Sequence, residues 1–222
     1  MSIKLNIEKL REKVPHEVKI VAVSKFHPVE EIKEVYDAGQ IVFGESRVQE
    51  IVVKQKELPE DIEWHFIGNL QRNKVKQIAP FVSLIHSVDS ERLMREIDKQ
   101  GAANDRVIPC LIQIHIADEE SKFGFSTEDF LRFMEDEKWK EYRHIDFRGL
   151  MGMATYTEDQ VKIRSEFGML KSFFEKCKTT YFADKPQFKE ISMGMTGDYA
   201  IAIDEGSTMI RVGTLIFGER RY

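Results

Sequence analysis

The sequence is poor in cysteine. Cys110 and Cys177 are the only two in 222 residues, too few for a disulfide framework or a cysteine-based zinc site. It has no long apolar run, so no transmembrane helix is predicted. It has no excess of positive charge. The 33 basic and 38 acidic side chains give a formal net charge of −5, which argues against a general nucleic-acid coat and leaves only a local basic patch. No linker, internal repeat or low-complexity tract stands out, and the amphipathic, charged start MSIKLNIEKLREKV is unlike a secretory signal. The expectation is a soluble protein of a reducing compartment, by default the cytoplasm, without a membrane partner. What is present is a 42% hydrophobic fraction, enough to build a substantial core and to exclude disorder across the chain.

Two periodicities alternate. Ile3, Ile7, Leu10 and Val14 fall at helical spacing up to Pro15, and a short apolar run, VKIVAV, follows as a strand covered on both faces. Pro28 suits a helix start, Ile32, Val35 and Tyr36 give that helix a face, and Gly39 stops it. Further strands are read at IVFGES, EWHFIG, VSLIHSVD, VIPCLIQIHI, DFRGLMGMA, FKEISMG and TMIRVGT. Helices are read between most of them: one from Asp89 or Ser90, one with the stripe Phe167, Leu170, Phe174 and Cys177, and one capped by Thr196 and ended by Gly206. Roughly eight strand–helix units predict a closed (β/α)8 TIM barrel with an extra N-terminal helix, an open doubly wound sheet being the alternative. Pro109 must lie at a strand start or a bulge, and Ala117 to Asp129 form a long loop after the fifth strand. The chain is shorter than a typical barrel of ~250 residues, so residues 1–222 are read as a single domain.

In such a barrel, chemistry sits at the C-terminal strand ends. Val21, Val23 and Lys25 share a strand face; if the valines point inward, Lys25 stands at the mouth, where partial desolvation would free its amine as a nucleophile. A solvated lysine that merely follows a strand is the alternative. Near the last two strands, Ser192, Met193, Gly194 and Met195 precede a helix, and Gly213 and Thr214 follow a strand. Hydroxyls, glycine-permitted backbone N–H groups and a helix start suit a phosphate monoester, though ordinary turn glycines would look the same. Arg211 shares a face with Gly213, and an interior guanidinium there needs a polar partner, whether in a ligand site or a structural salt bridge. Amine, phosphate cradle and arginine together suit pyridoxal 5′-phosphate.

HFIGNLQRNK, His65 to Lys74, closely resembles the signature of the YggS/PROSC family of pyridoxal phosphate homeostasis proteins. VAVSK, FGESRVQE, IHSVDS, EESKFGF, GLMGM, ISMGM and RVGTLIFG resemble other segments of that family in the same order, over almost the whole chain. The resemblance implies a barrel like the N-terminal domain of alanine racemase. It implies that Lys25 forms the Schiff base, that Ser192, Met193, Gly194, Gly213 and Thr214 line the phosphate, and that Arg211 approaches the pyridine nitrogen. It places Asn69, with Leu70 and Gln71, at the mouth and Met151 near the cofactor ring. Ser46 and His115 stand where the family commonly has asparagine, which puts side-chain contacts at those two positions in doubt. Lys122 matches a family loop lysine, read as a solvated side chain or a second transient aldehyde acceptor.

The resemblance implies a non-catalytic carrier and buffer of pyridoxal phosphate, with cofactor-dependent apoenzymes as transient acceptors. The alternatives are a pyridoxal-phosphate-dependent amino-acid racemase and an unrelated phosphate-binding barrel enzyme. Racemisation needs a second acid–base group, in alanine racemases a tyrosine of a C-terminal domain. This sequence stops at Tyr222, directly after the barrel, so a carrier and a monomer are expected. An arginine at the ring nitrogen also weakens the electron sink. Other candidates are read as structural: His65 packed and hydrogen-bonded, His65, His86 and His115 without metal-ligand spacing, both cysteines buried, Glu45 and Glu50 serving the helix start and surface, and Arg72, Lys74 and Lys76 a solvated face.

Overall fold

A computed structural model describes residues 2–118 and 123–219; Lys122 and Tyr222 lie outside the described residues. Eight parallel strands close in chain order: β1 (Lys19–Val23), β2 (Val42–Glu45), β3 (Glu63–Phe66), β4 (Leu84–Val88), β5 (Ile108–Gln113), β6 (Ile145–Met151), β7 (Glu190–Ser192) and β8 (Met209–Val212). Pairing of β1 with β8, Val21 opposite Arg211, closes the barrel and removes the open-sheet alternative. The helices are α1 (Ile3–Lys13), α2 (Val29–Asp37), α3 (Val48–Glu57), α4 (Val75–Ile78), α5 (Glu91–Ala103), α6 (Thr127–Glu135), α7 (Gln160–Thr180), α8 (Tyr199–Asp204) and α9 (Thr214–Phe217). None of the described helices is long and apolar enough to cross a membrane.

Strand alternation divides the apolar residues into two cores. Val21, Val42, Leu84, Leu111, Met151 and Met209 fill the barrel. Ile20, Ala22, Phe43, Trp64, Ile85, Ile112 and Ile210 face outward into a larger core beneath the helices. The α7 stripe is buried as its spacing predicts, with Phe167, Leu170 and Cys177 fully inaccessible. Phe182 and Phe188 stack at 4.0 Å beside it. Helix α1 lies outside the barrel against α2 and α9, and Asn6 Nδ2 donates to the Ile216 carbonyl at 2.9 Å. Pro109 is the second residue of β5; the Ile108 N–H turns to β6, donating to the His144 carbonyl, so the missing N–H of Pro109 falls on the β4 side, just before the Ile85–Cys110 pair.

Candidate functional site

Each candidate group is placed by the strand that precedes it. On β1, Val21 points into the barrel and Ala22 out, so Ser24 faces outward, and the half-buried Lys25 follows at the C-terminal end of the strand. Phe26 follows with φ 68°, a left-handed conformation that is unusual for a bulky side chain. The Ser24 hydroxyl donates to Glu45 Oε1 at 2.7 Å, and the Phe26 N–H donates to Glu50 Oε2 at 2.8 Å. Neither acid serves as a solvated surface group. Glu45 is fully buried, and desolvation pushes its pKa above the usual range despite Lys54. Burial also pushes Glu50 up, but the hydrogen bonds from Phe26 and Lys54 outweigh it and its pKa is lowered.

Arg211 projects from β8 into the barrel and is 4% exposed. Its Nη1 donates to Ser192 Oγ at 2.6 Å and its Nη2 to the Gly152 carbonyl at 3.1 Å. Ser192 Oγ lies 2.9 Å from His86 Nδ1, and His86 Nε2 lies 3.0 Å from His65 Nδ1. Arg211 can only donate, so one set of protons satisfies the contacts of this chain: the serine donates to His86 Nδ1, and His86 Nε2–H donates to His65 Nδ1. His65 Nε2 then points towards the barrel floor, where Glu63 Oε2 lies 4.0 Å away. Burial lowers the His65 pKa to about 3 and holds that of His86 well below the usual value, so both rings are neutral at pH 7. Burial lowers Arg211 to about 10, and its guanidinium stays charged. These two histidines do converge, as an uncharged polar chain; His115 is outside it, its backbone N–H bonded to the Phe125 carbonyl. Among the described residues no cluster has the makings of a metal site.

The ends of β7 and β8 are brought side by side, since the Arg211 N–H donates to the Gly194 carbonyl at 2.9 Å. Gly194 has φ 93°, and a Cβ there would lie 2.6 Å from Ala202 Cβ. Only glycine fits. Gly213 passes close to β1, where an added Cβ would meet the Val23 carbonyl at 3.2 Å. Among the described residues, the N–H groups of Gly194, Gly213 and Thr214 donate to no backbone carbonyl, and the Thr214 side chain is exposed. Two side chains are placed at β7. The Ser192 hydroxyl is committed inside the barrel to Arg211 and His86, and Met193 is fully buried among the outward-facing core residues, its N–H bonded to the Met209 carbonyl. Beyond them the loop can present the backbone N–H of Gly194 to an anion. Thr196 does not cap α8; the helix begins at Tyr199 with Asp198 as N-cap, and Asp198 Oδ1 accepts the Met195 N–H at 2.5 Å.

The remaining candidates are spread around the mouth. Asn69, exposed beyond β3, donates to Asp89 Oδ2 at 3.3 Å and borders a groove of about 520 Å³ with Gln71, Arg72, Ser90 and Arg92. Gly68 lets that loop press on β2, where a Cβ would lie 2.3 Å from the Ser46 carbonyl. Met151 ends β6 inside the barrel and is 1% exposed. Both cysteines are buried; burial raises Cys110 strongly and pushes Cys177 up to about 12, so neither is a ready thiolate. A second cavity of about 460 Å³, lined by Trp139, Tyr142, Phe147 and Phe182, opens at the opposite end of the barrel, where β6 begins.

Sequence reasoning missed the Glu45–Lys54–Glu50 cluster and the His65–His86–Ser192 chain. The first had a signal: Lys54 continues the buried stripe of Val48 and Ile51 on α3, and a lysine on such a stripe needs a buried acid. In the second, His65 and His86 lie on the neighbouring strands β3 and β4, and only the link to Ser192 on β7 had no signal, because those strands meet only across the closed barrel.

The alanine racemase N-terminal domain family model matches residues 1–221. A pyridoxal phosphate homeostasis protein of Aquifex aeolicus is 40% identical over 205 residues, covering 92% of this chain and 88% of the relative. That of Escherichia coli K12 is 35% identical over 231 residues, covering 98% and 96%. The structure of PipY from Synechococcus elongatus, solved with pyridoxal phosphate bound, superposes with a TM-score of 0.88 at 33% identity, covering 97% of this chain and all of that one. Alanine racemase of Clostridium difficile shares the fold, with a TM-score of 0.78 at 13% identity over all of this chain and 56% of the enzyme.

Proposed function

The chain belongs to the alanine racemase N-terminal domain family and, within it, to the pyridoxal phosphate homeostasis proteins, and from that premise we propose that it binds pyridoxal 5′-phosphate at the barrel mouth, holds it on Lys25, and so carries and buffers the cofactor. One observation carries the reading. A half-buried lysine after β1, a buried guanidinium on β8 and the unengaged N–H groups after β7 and β8 all gather on adjoining strand ends. When bound, the cofactor supplies an aldehyde that condenses with a neutral primary amine, forming a C=N bond and releasing water.

The residues fit that group. Gly194, Gly213 and Thr214 direct N–H groups that suit a phosphate dianion, and Thr214 adds a hydroxyl. Arg211 uses two of its donors on Ser192 and Gly152, which fixes its plane and leaves others for a ring nitrogen. Met151 closes the barrel beneath, and Asn69 borders the far rim. A charged guanidinium against the ring nitrogen opposes its protonation and weakens the electron sink that amino-acid chemistry needs, which supports a carrier without strong catalytic activity. Apoenzymes that require the cofactor are the proposed acceptors, the protein acting as a monomer in the cytoplasm. Phe26, Met195 and Leu215, in the segments that follow β1, β7 and β8, are exposed and offer apolar contacts to them.

Titration of the cofactor-free protein with pyridoxal phosphate tests the proposal. Wild type is expected to develop a visible absorption band. Lys25→Ala is expected to lose that band, keep its fold and retain weaker, phosphate-anchored binding. A Lys25→Ala protein with an undiminished band would contradict it, and robust racemisation of alanine by wild type would contradict the carrier role.

A further inference from the structure

The turn that carries Lys25 is gripped from behind. Lys25 follows the C-terminal end of β1, while the groups on either side of it in the chain are bound on the outer surface of the barrel by the side chains of Glu45, Glu50 and Lys54. Lys54 Nζ donates to Glu45 Oε1 at 2.7 Å, to Glu50 Oε2 at 3.1 Å and to the Ser24 carbonyl at 2.9 Å. Three donors thus meet three acceptors. Glu50 Oε2 also accepts the Phe26 N–H at 2.8 Å. The carbonyl just before Lys25 and the N–H just after it are both held by one ion cluster.

Two features set this cluster apart from a fastening between α3 and the barrel. Phe26 is kept at φ 68°, where only glycine sits without strain, and besides Glu50 it has the Arg47 guanidinium 4.5 Å above its ring. Glu45, fully buried, leaves Oε2 without a hydrogen-bond partner, and Lys54 is only 7% exposed. Burying such charges is an inefficient route to stability, since apolar packing does as well or better. Strain and an unsatisfied buried oxygen beside a reactive side chain are the marks of a position held for function.

We infer that Glu50 and Lys54, anchored by Glu45, are positioning residues for Lys25: they hold the strained Lys25–Phe26 turn so that the amine stands in the barrel mouth. This rests on the reading of Lys25 as the attachment point. Without the Glu50 acceptor the turn relaxes out of the left-handed region and the amine spends less time in place.

The test uses the full chain with Glu50→Ala and Glu50→Gln, each also in a Phe26→Gly background. Two quantities are read: hydrogen exchange of the residue-26 amide in cofactor-free protein, and the rate of borohydride-trapped attachment of added pyridoxal phosphate per folded molecule. For Glu50→Ala, amide exchange is expected to quicken and attachment to slow, each by roughly tenfold, the scale of one charge-assisted hydrogen bond. Glu50→Gln, whose amide oxygen accepts the same N–H, is expected to recover most of both. In the Phe26→Gly background, where the turn needs no support, Glu50→Ala is expected to change attachment little. Wild-type attachment in Glu50→Ala would overturn the inference, as would an equal loss in Glu50→Gln or in the Phe26→Gly background. Should Glu50→Ala fold poorly, the Glu50→Gln pair with and without Phe26→Gly and the exchange rates decide in the same way. Trapping that persists in Lys25→Ala would overturn the underlying assignment of the lysine; trapping lost there but unchanged in Glu50→Ala overturns the positioning role alone.

Discussion

Arg211 owes its place inside the barrel to the two-residue period of a strand and was legible in the sequence for that reason. The same alternation holds at the end of β7, where Ser192 turns into the barrel to Arg211 and His86 and Met193 turns outward into the core. Gly194→Ala would place a methyl group 2.6 Å from Ala202 Cβ in a disfavoured conformation. A loss of at least about 1 kcal/mol is expected in a urea titration, with weaker retention of pyridoxal phosphate on dialysis. His65 gives a pH dependence whose sign is fixed. Its pKa falls from 6.5 to about 3 on folding, so below pH 6.5 the unfolded chain binds the proton that the native protein refuses. Stability present above pH 6.5 is lost as the pH drops, by about 2 kcal/mol at pH 5 for this one group. Glu45, raised by burial, acts in the opposite sense, so the histidine contribution is measured as the difference in urea midpoint between wild type and His65→Gln across pH 5–7.5. A His65→Gln protein with the same pH slope would contradict the neutral-histidine assignment.

Among the elements, long amphipathic segments were easiest to read. Helix α7 buries Ile163, Phe167, Leu170, Phe174 and Cys177 on the stripe its spacing requires, and Asp159 caps it by accepting the N–H groups of Val161 and Lys162. Phe167→Ala is expected to cost about 3–5 kcal/mol, a shift any denaturant titration resolves, whereas the exposed Val161 on the same helix tolerates alanine within about 0.5 kcal/mol. Short elements were harder. Helix α8 has six residues, and Thr196 and Asp198 are both acceptable caps by composition. Asp198 takes the position, and its carboxylate closes the turn on the Met195 N–H. Lys54 shows the other limit: its partner Glu45 comes from a strand whose outward face is known only once α3 has docked.

For the molecule as a whole, counting strand–helix units suggested a barrel, but periodicity is local and closure is not. The pairing of β1 with β8 decides it, joining residues about 190 positions apart in sequence. Closure creates the interior polar chain from Arg211 through Ser192 and His86 to His65, and it sets the C-terminal end of the first strand beside those of the last two. The most direct measurement is borohydride reduction of the protein loaded with pyridoxal phosphate, followed by proteolysis and mass spectrometry. A single phosphopyridoxyl group on the peptide containing Lys25 is the expected result. Modification spread over surface lysines, with Lys25 unmodified, would contradict the assignment of the barrel mouth as the cofactor site.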